Sequence, residues 1–307
     1  TWAGFDNTRR IFPIHRSMRF VVMTAATAGR TGVLRFRCGL TDPDALDRDD
    51  GVLSISRSRL EAWSDELSIP EVTNAASLAL LSGVSQRIPP LADASSWHVR
   101  FGRELNATDD RPHFVPLTPP RDHVLPIVEG KLLSPFRIAL DKATTGIPEA
   151  AAARLLDRAS FERPRIAYRD VASATNKLTL IAGALPPNVV STHTVFVSKE
   201  AMDDDAMWCL LGLLNSLVAN YLVRLQVTTH VTTALMARLP VPRVAKTSPV
   251  LKALASLARG LSRTGIEADV NNYARLNAIV ARLYGVSLDQ YRHIVETFPL
   301  LDQNADR

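Results

Sequence analysis

Residues 162–242 place three β-prone segments directly ahead of a long apolar run, and this order constrains the fold more than any other feature of the chain. Residues 165–171 alternate apolar and polar side chains, 178–184 are mostly apolar, and 194–197 are β-branched and aromatic, which predicts three strands. One long apolar helix is predicted next, over WCLLGLLNSLVANYLVRL. Asp203, Asp204 and Asp205 supply its N-cap and an acidic first turn, and Leu210, Leu211, Leu213, Leu214, Leu217, Val218, Tyr221 and Leu222 form its buried face. The helix stops near Leu225, because Val227, Thr228, Thr229, Val231, Thr232 and Thr233 are β-branched and propagate a helix poorly. The prolines between Arg238 and Arg243 end the next short helix. Outside this scaffold lie polar loops carrying Arg169, Ser173, Thr175, Asn176, Lys177, Ser191, Thr192, His193, Thr229, His230 and Thr232.

RIAYRDVASATNKLTLIAGALPPNVVSTHT, followed by LLGLLNSLVANYLVR and THVTTALMARLPVP, resembles the target recognition part of type IIG restriction-modification enzymes and the related N6-adenine DNA methyltransferases, which end in a TaqI-like specificity domain. FDNTRRIFPIHRSMRFVVMTA is similar to the last hairpin of their methyltransferase domain, Val128-Glu-Gly-Lys131 to their "lyeGk" segment, and LNAIVARLYGVSLDQYRHIVETFPLLD to their closing helical part. The resemblance implies an α+β fold in four regions: the end of a methyltransferase sheet (1–55), a helical connector (56–95), a β-rich recognition domain with packed helices (96–245) and a helical C-terminal segment (246–307). Thr1 is not an initiator methionine, which predicts a piece of a larger protein.

The remaining sequence supplies local elements. RFVVMTA and GVLRFRCGL, joined by TAGR, read as a hairpin, with alternating arginines on the wet face of an edge strand. A short helix is predicted from Ser56 to Trp63 and another capped by Asn74; WHVRFGREL and VLPIVEGKLL are strand candidates. Amphipathic helices are predicted over 252–263 and 270–284, with Gly285 as a C-terminal stop and Ser287 capping a last helix before Phe298-Pro299-Leu300.

A chain of 307 residues, 46% hydrophobic and 22% charged, has the composition of an ordinary globular protein. It has no apolar run of membrane-spanning length and no signal-like start, so a cytoplasmic protein without a membrane partner is expected. Cys38 and Cys209 lack metal-ligand spacing and read as reduced thiols. The net charge is +5, and no acidic residue falls between Asp205 and Glu267 while Arg224, Arg238, Arg243, Lys246, Lys252, Arg259 and Arg263 do, a balance suited to a polyanion.

Methyl transfer needs a glycine-containing cofactor loop and an Asn/Asp-Pro-Pro-aromatic tetrapeptide for the flipped adenine. Neither occurs here: Leu185-Pro-Pro-Asn188 has the wrong flanks, so S-adenosylmethionine is expected in an upstream domain, attached in cis or as a partner subunit. Glu129-Gly-Lys131 has the spacing of a nuclease Glu-x-Lys but no convergent aspartate, and the seven histidines show no zinc spacing, so neither catalytic nor metal residues are predicted.

The expected function is sequence-specific recognition of double-stranded DNA for an N6-adenine methyltransferase in restriction-modification or phage defence. The candidate DNA-binding residues are Arg165, Arg169, Lys177, Thr192, His193, Thr229, His230, Thr232 and Arg243. Arginine bridges guanine through two acceptors, and lysine, serine and threonine hold phosphates. Arg165 is alternatively an ion-pair partner of Glu162 or Asp170; His193 and His230 either order their loops or contact DNA; Tyr168 and Trp97 read as core. The alternative function is a protein-interaction scaffold whose basic faces meet acidic partners.

Overall fold

The computed structural model describes residues 1–16, 18–63, 67–118, 122–172, 177–227 and 229–298. Ser173, Thr175, Asn176, Thr228, Pro299 and Leu300 therefore lie outside the described residues. The fold class is α+β, and the chain divides into two compact units, Thr1–Arg87 and Ile88–Arg307.

The first unit holds the strands β1 (Trp2–Asp6), β2 (Arg19–Met23), β3 (Val33–Leu40) and β4 (Leu53–Ser56), in the sheet order β2-β1-β3-β4, with helices α1 (Arg57–Trp63) and α2 (Ala75–Arg87). The expected hairpin between the two arginine-rich strands does not form. β1 lies between them, antiparallel to β2 and parallel to β3, because its alternation buries Ala3 and Phe5 and its two edges satisfy both neighbours. Phe5 stacks on Phe20 at 5.0 Å. β3 is thus an interior strand, and Arg37, expected on a wet face, is buried and donates to the carbonyls of Ala45 and Arg48.

The second unit begins with β5 (Phe101–Gly102), β6 (Val115–Pro116), β7 (Val124–Val128), β8 (Leu133–Ser134), β9 (Arg137–Ile138) and β10 (Thr145–Pro148). Helices α3 (Glu149–Leu155) and α4 (Arg158–Phe161) come next, followed by β11 (Arg165–Arg169), β12 (Ala182–Leu185), β13 (Val190–Ser191) and β14 (Val195–Ser198). One sheet has the order β13-β7-β10-β6 and packs Leu125, Ile127, Ile147 and Val190 against Ala151, Ala152 and Phe161. A second has the order β12-β11-β14-β5, with β11 antiparallel to both neighbours, while β8 and β9 pair alone.

The helical part comprises α5 (Asp204–Leu214), α6 (Leu217–Arg224), α7 (Thr233–Arg238), α8 (Pro249–Thr264), α9 (Val270–Leu283) and α10 (Leu288–Glu296). The apolar stretch expected as one helix is two, α5 and α6, bent by 56° at Asn215-Ser216. Ser216 has extended backbone and caps α6 by accepting from Ala219 N, so the helix restarts there. All eight apolar side chains expected on the buried face are buried, each contributing about 1.5–3 kcal/mol over exposure if fully buried. At Gly212 an added Cβ would sit 3.3 Å from Leu276 Cδ1 and 3.7 Å from Ala258 Cβ, so the bare backbone lets α5 approach α8 and α9 closely. Gly285 takes φ 64° after α9, and Ser287 forms a complete capping box with Gln290. Among the described residues no single helix is long and apolar enough to cross a membrane.

Candidate functional site

The far end of β11 is where three loops are fastened together. Asp170, just past the strand, donates its backbone N–H to Thr194 O at 3.0 Å and accepts from Val231 N at 2.8 Å. Ala172 N donates to Thr229 O at 3.0 Å, and Val171 and His230 form an antiparallel bridge. The segment around Gly130 docks on the same corner: Thr192 N donates to Val128 O at 3.1 Å and Gly130 N to Thr194 Oγ1 at 2.9 Å. Main-chain bonds fix these loops without using most of their side chains, which suits recognition from a rigid base.

The side chains at this corner centre on the Asp170 carboxylate, which is 9% exposed. Its Oδ1 lies 3.2 Å from His230 Nδ1 and its Oδ2 accepts from Arg103 Nη2 at 3.2 Å. The Arg103 guanidinium lies 4.9 Å from the centre of the Phe196 ring. These groups border an open cleft of about 670 Å³, with Phe101, Thr232 and Thr233 on its walls. Thr232 caps α7, accepting from Leu235 N at 3.2 Å, while His193 and Thr229 are exposed.

Two of the expected DNA contacts are core residues instead. Arg165 is 1% exposed; its guanidinium pairs with Glu104 and donates to Val189 O, and burial lowers its pKa while Glu104 opposes that shift. The partner is neither Glu162 nor Asp170: a buried guanidinium needs a carboxylate buried beside it, and Glu104 is 1% exposed whereas Glu162 is 49% exposed. Thr192 is 3% exposed, with its hydroxyl 3.3 Å from that of Thr194. Ser191, also expected on a polar loop, is buried and donates through N and Oγ to Glu104 Oε2, both at 2.8 Å. Arg169 is half-buried, its Cγ 3.3 Å from where a Cβ on Gly130 would stand.

Arg243 and Lys177 lie elsewhere in this unit. Arg243 is exposed and sits 4.6 Å above the Trp97 ring, at a second cleft of about 530 Å³ shared with His98, Glu200, Asp203 and Lys246. Burial alone would raise the Glu200 pKa, but bonds from the Arg100 backbone and guanidinium hold it below the usual value. Lys177 Nζ is 3.5 Å from Glu267.

Part of the one-sided charge of the C-terminal third is cancelled in space. Lys246 pairs with Asp203 at 2.6 Å, and Arg259 bonds to Asp204 at 2.5 Å and Asp205 at 2.6 Å. The three aspartates are thus ion-pair partners as well as first-turn residues, and Asp203 makes no side-chain capping bond. Arg224 is half-buried, donating to Thr179 Oγ1 at 2.9 Å. Among the described residues no group of three or more His, Cys, Asp or Glu is placed to hold a metal ion, and Lys131 closes on Glu129 at 2.5 Å.

Arg103 is the participant that sequence reasoning missed. It falls inside a segment expected to be strand from Trp97 to Leu105, whereas the strand is only Phe101–Gly102, leaving Arg103 on the irregular chain beside Asp170. Its proximity to an acidic residue 67 positions away carries no local sequence signal.

No protein-family model matches the chain, and no curated protein matches its sequence. Among solved structures the chain is similar to the type IIL restriction-modification enzyme MmeI in complex with DNA (TM-score 0.46, 12% identity, 71% of this chain and 37% of that one). It is also similar to the type IIG restriction endonuclease BpuSI (TM-score 0.42, 10% identity, 76% of this chain and 35% of that one). The chain thus spans little more than a third of the length of either enzyme, and its functional reading rests on its own residues.

Proposed function

We propose that this chain reads the sequence of double-stranded DNA for an N6-adenine DNA methyltransferase of a restriction-modification or phage-defence system. The observation that carries the reading is the Asp170 corner, where main-chain bonds hold the loops of His193, Thr229 and His230 side by side on one strand end. Loops so fixed present donors and acceptors to one groove without a large ordering cost on binding. The resemblance of RIAYRDVASATNKLTLIAGALPPNVVSTHT to a recognition domain supports the same reading and supplies the finer assignment. S-adenosylmethionine then belongs to a methyltransferase domain or subunit outside these residues, since the chain has neither the cofactor loop nor the adenine-binding tetrapeptide.

The test compares the wild-type chain with His193→Ala and His230→Ala on one cognate and one scrambled duplex selected from a random pool. A lost base contact weakens cognate binding by about 1–3 kcal/mol and scrambled binding much less. Equal losses on both duplexes place the reading surface elsewhere.

A protein-interaction scaffold is the second reading, favoured by exposed apolar residues on and beside β2: Met18 is 53% exposed, Val21 50% and Met23 67%. Salt separates the two, since phosphate contacts release counterions and DNA affinity then falls steeply as salt rises.

A further inference from the structure

We propose that Arg103 is the guanine-reading side chain of this protein and that Asp170 and Phe196 are the residues that position it; the inference rests on the DNA-reading function above. Three observations converge on it. Arg103 is 52% exposed, so its guanidinium is reachable, yet it is held on two sides: by the 9%-exposed Asp170 carboxylate at 3.2 Å and by the Phe196 ring at 4.9 Å. Its backbone is fixed as well, because the carbonyl accepts from Lys199 Nζ at 3.0 Å. A guanidinium has five N–H donors in a rigid fork, and the one bond to Asp170 uses only one nitrogen. The fork therefore retains donors for the two acceptors that guanine presents in the major groove.

The same carboxylate fixes the neighbouring reader. Asp170 Oδ1 lies 3.2 Å from His230 Nδ1 while Oδ2 holds Arg103, so one buried anion sets the spacing of two side chains that border one cleft. A freely rotating surface arginine loses much rotamer entropy when it docks; one already clamped loses less, which favours base selectivity over general phosphate attraction. Phe196 is itself anchored, stacked on Tyr168 at 5.2 Å, so the ring cannot swing away from the guanidinium without disturbing the core.

The experiment selects duplexes from a randomised pool with the full chain as wild type, Arg103→Ala, Arg103→Lys and Asp170→Asn, and measures affinity for the wild-type motif and for its single-base variants. Thermal unfolding of each variant confirms that it is folded. The expected result is a wild-type motif with a guanine whose preference falls by about 5- to 150-fold in Arg103→Ala, the other positions being kept. Arg103→Lys relaxes the same position, because an ammonium cannot make the bidentate contact. Asp170→Asn relaxes that position partly, the other positions of the motif being kept. An unchanged motif in Arg103→Ala overturns the proposal and leaves the DNA-reading function standing, as does an equal loss at every sequence, which marks a phosphate contact. A wild-type chain that enriches no motif overturns both.

Discussion

Asn215 binds the main chain of Ala182 as a neighbouring strand would: its Oδ1 accepts from Ala182 N at 3.1 Å and its Nδ2 donates to Ala182 O at 3.0 Å. The contact joins the break between α5 and α6 to the first residue of β12, in a fully buried setting. Asn220 repeats the device nearby, accepting from Leu180 N at 2.8 Å while donating to Leu214 O and Ser216 O. Asn277 accepts from Leu217 N at 2.7 Å. Together these amides satisfy main-chain groups that a helix end and a shortened strand would otherwise bury unpaired.

Asn215→Ala is predicted to orphan the main-chain N–H of Ala182, whose carbonyl keeps its bond from Phe136 N at 2.8 Å, and to cost about 1–3 kcal/mol. Asn215→Asp keeps the acceptor and loses the donor, so it is expected to retain the Ala182 N–H bond while burying a charge. Urea unfolding at neutral pH measures both; a loss below about 1 kcal/mol in Asn215→Ala contradicts the pairing.

The buried pair of Arg165 and Glu104 makes a second, larger prediction. Glu104 also accepts two bonds from Ser191, so Glu104→Ala leaves an unpaired buried guanidinium and a bare Ser191 N–H, at an expected cost of about 3–5 kcal/mol. A joint Arg165→Met, Glu104→Leu variant is expected to lose less than Glu104→Ala alone, because no charge is then stranded. Equal or greater loss in the double variant contradicts this account.

Tyr168 stacks on Phe196 and meets Phe101 edge-on, and its hydroxyl has no hydrogen-bond partner among the described residues; burial pushes its pKa well up. Removing the orphan group in Tyr168→Phe keeps the ring packing and is predicted to raise stability by about 1–3 kcal/mol. A lower melting temperature for that variant argues against an unpaired hydroxyl.

Burial pushes the thiols of Cys38 and Cys209 from 9.0 up to about 12, so both remain protonated at pH 8. Alkylation of the native protein at that pH is expected to run about a thousandfold slower than in denaturant, in proportion to the thiolate lost. Rapid labelling of either cysteine in the folded chain defeats the prediction.

Phosphate anchoring separates Arg243 from Lys177. Arg243→Ala is predicted to weaken all duplexes alike and to lower the salt slope by about one unit. Lys177 must first leave Glu267 to reach a phosphate, so Lys177→Ala is expected to change the slope less than Arg243→Ala does. Slopes measured by fluorescence anisotropy across salt concentrations decide it, and an unchanged slope in Arg243→Ala removes that residue from the interface.

The sequence by itself determined the elements whose signals are local. The pattern of 165–171, the β-branched and aromatic run at 194–197, the cap at Ser287 and the apolar faces of α8 and α9 all come from spacings of a few residues, and the structure places a strand within each of the first two and a helix at each of the others. It also marked the loops of His193 and His230 as exposed polar segments around a hydrophobic scaffold. Only the tertiary structure decided what those segments meet. β1 entered between two strands expected to pair, because hydrogen-bonding edges are satisfied by whichever strand lies alongside. Asn215 and Ser216 broke a continuous apolar run, because their partners, Ala182 and the start of α6, form only on folding. Likewise Asp203, Asp204 and Asp205 cancelled basic residues up to 55 positions away, and Glu104 drew Arg165 inside. Charge counted along a chain predicts a surface only where no opposite charge from a distant segment packs against it, and that pairing is a property of the fold.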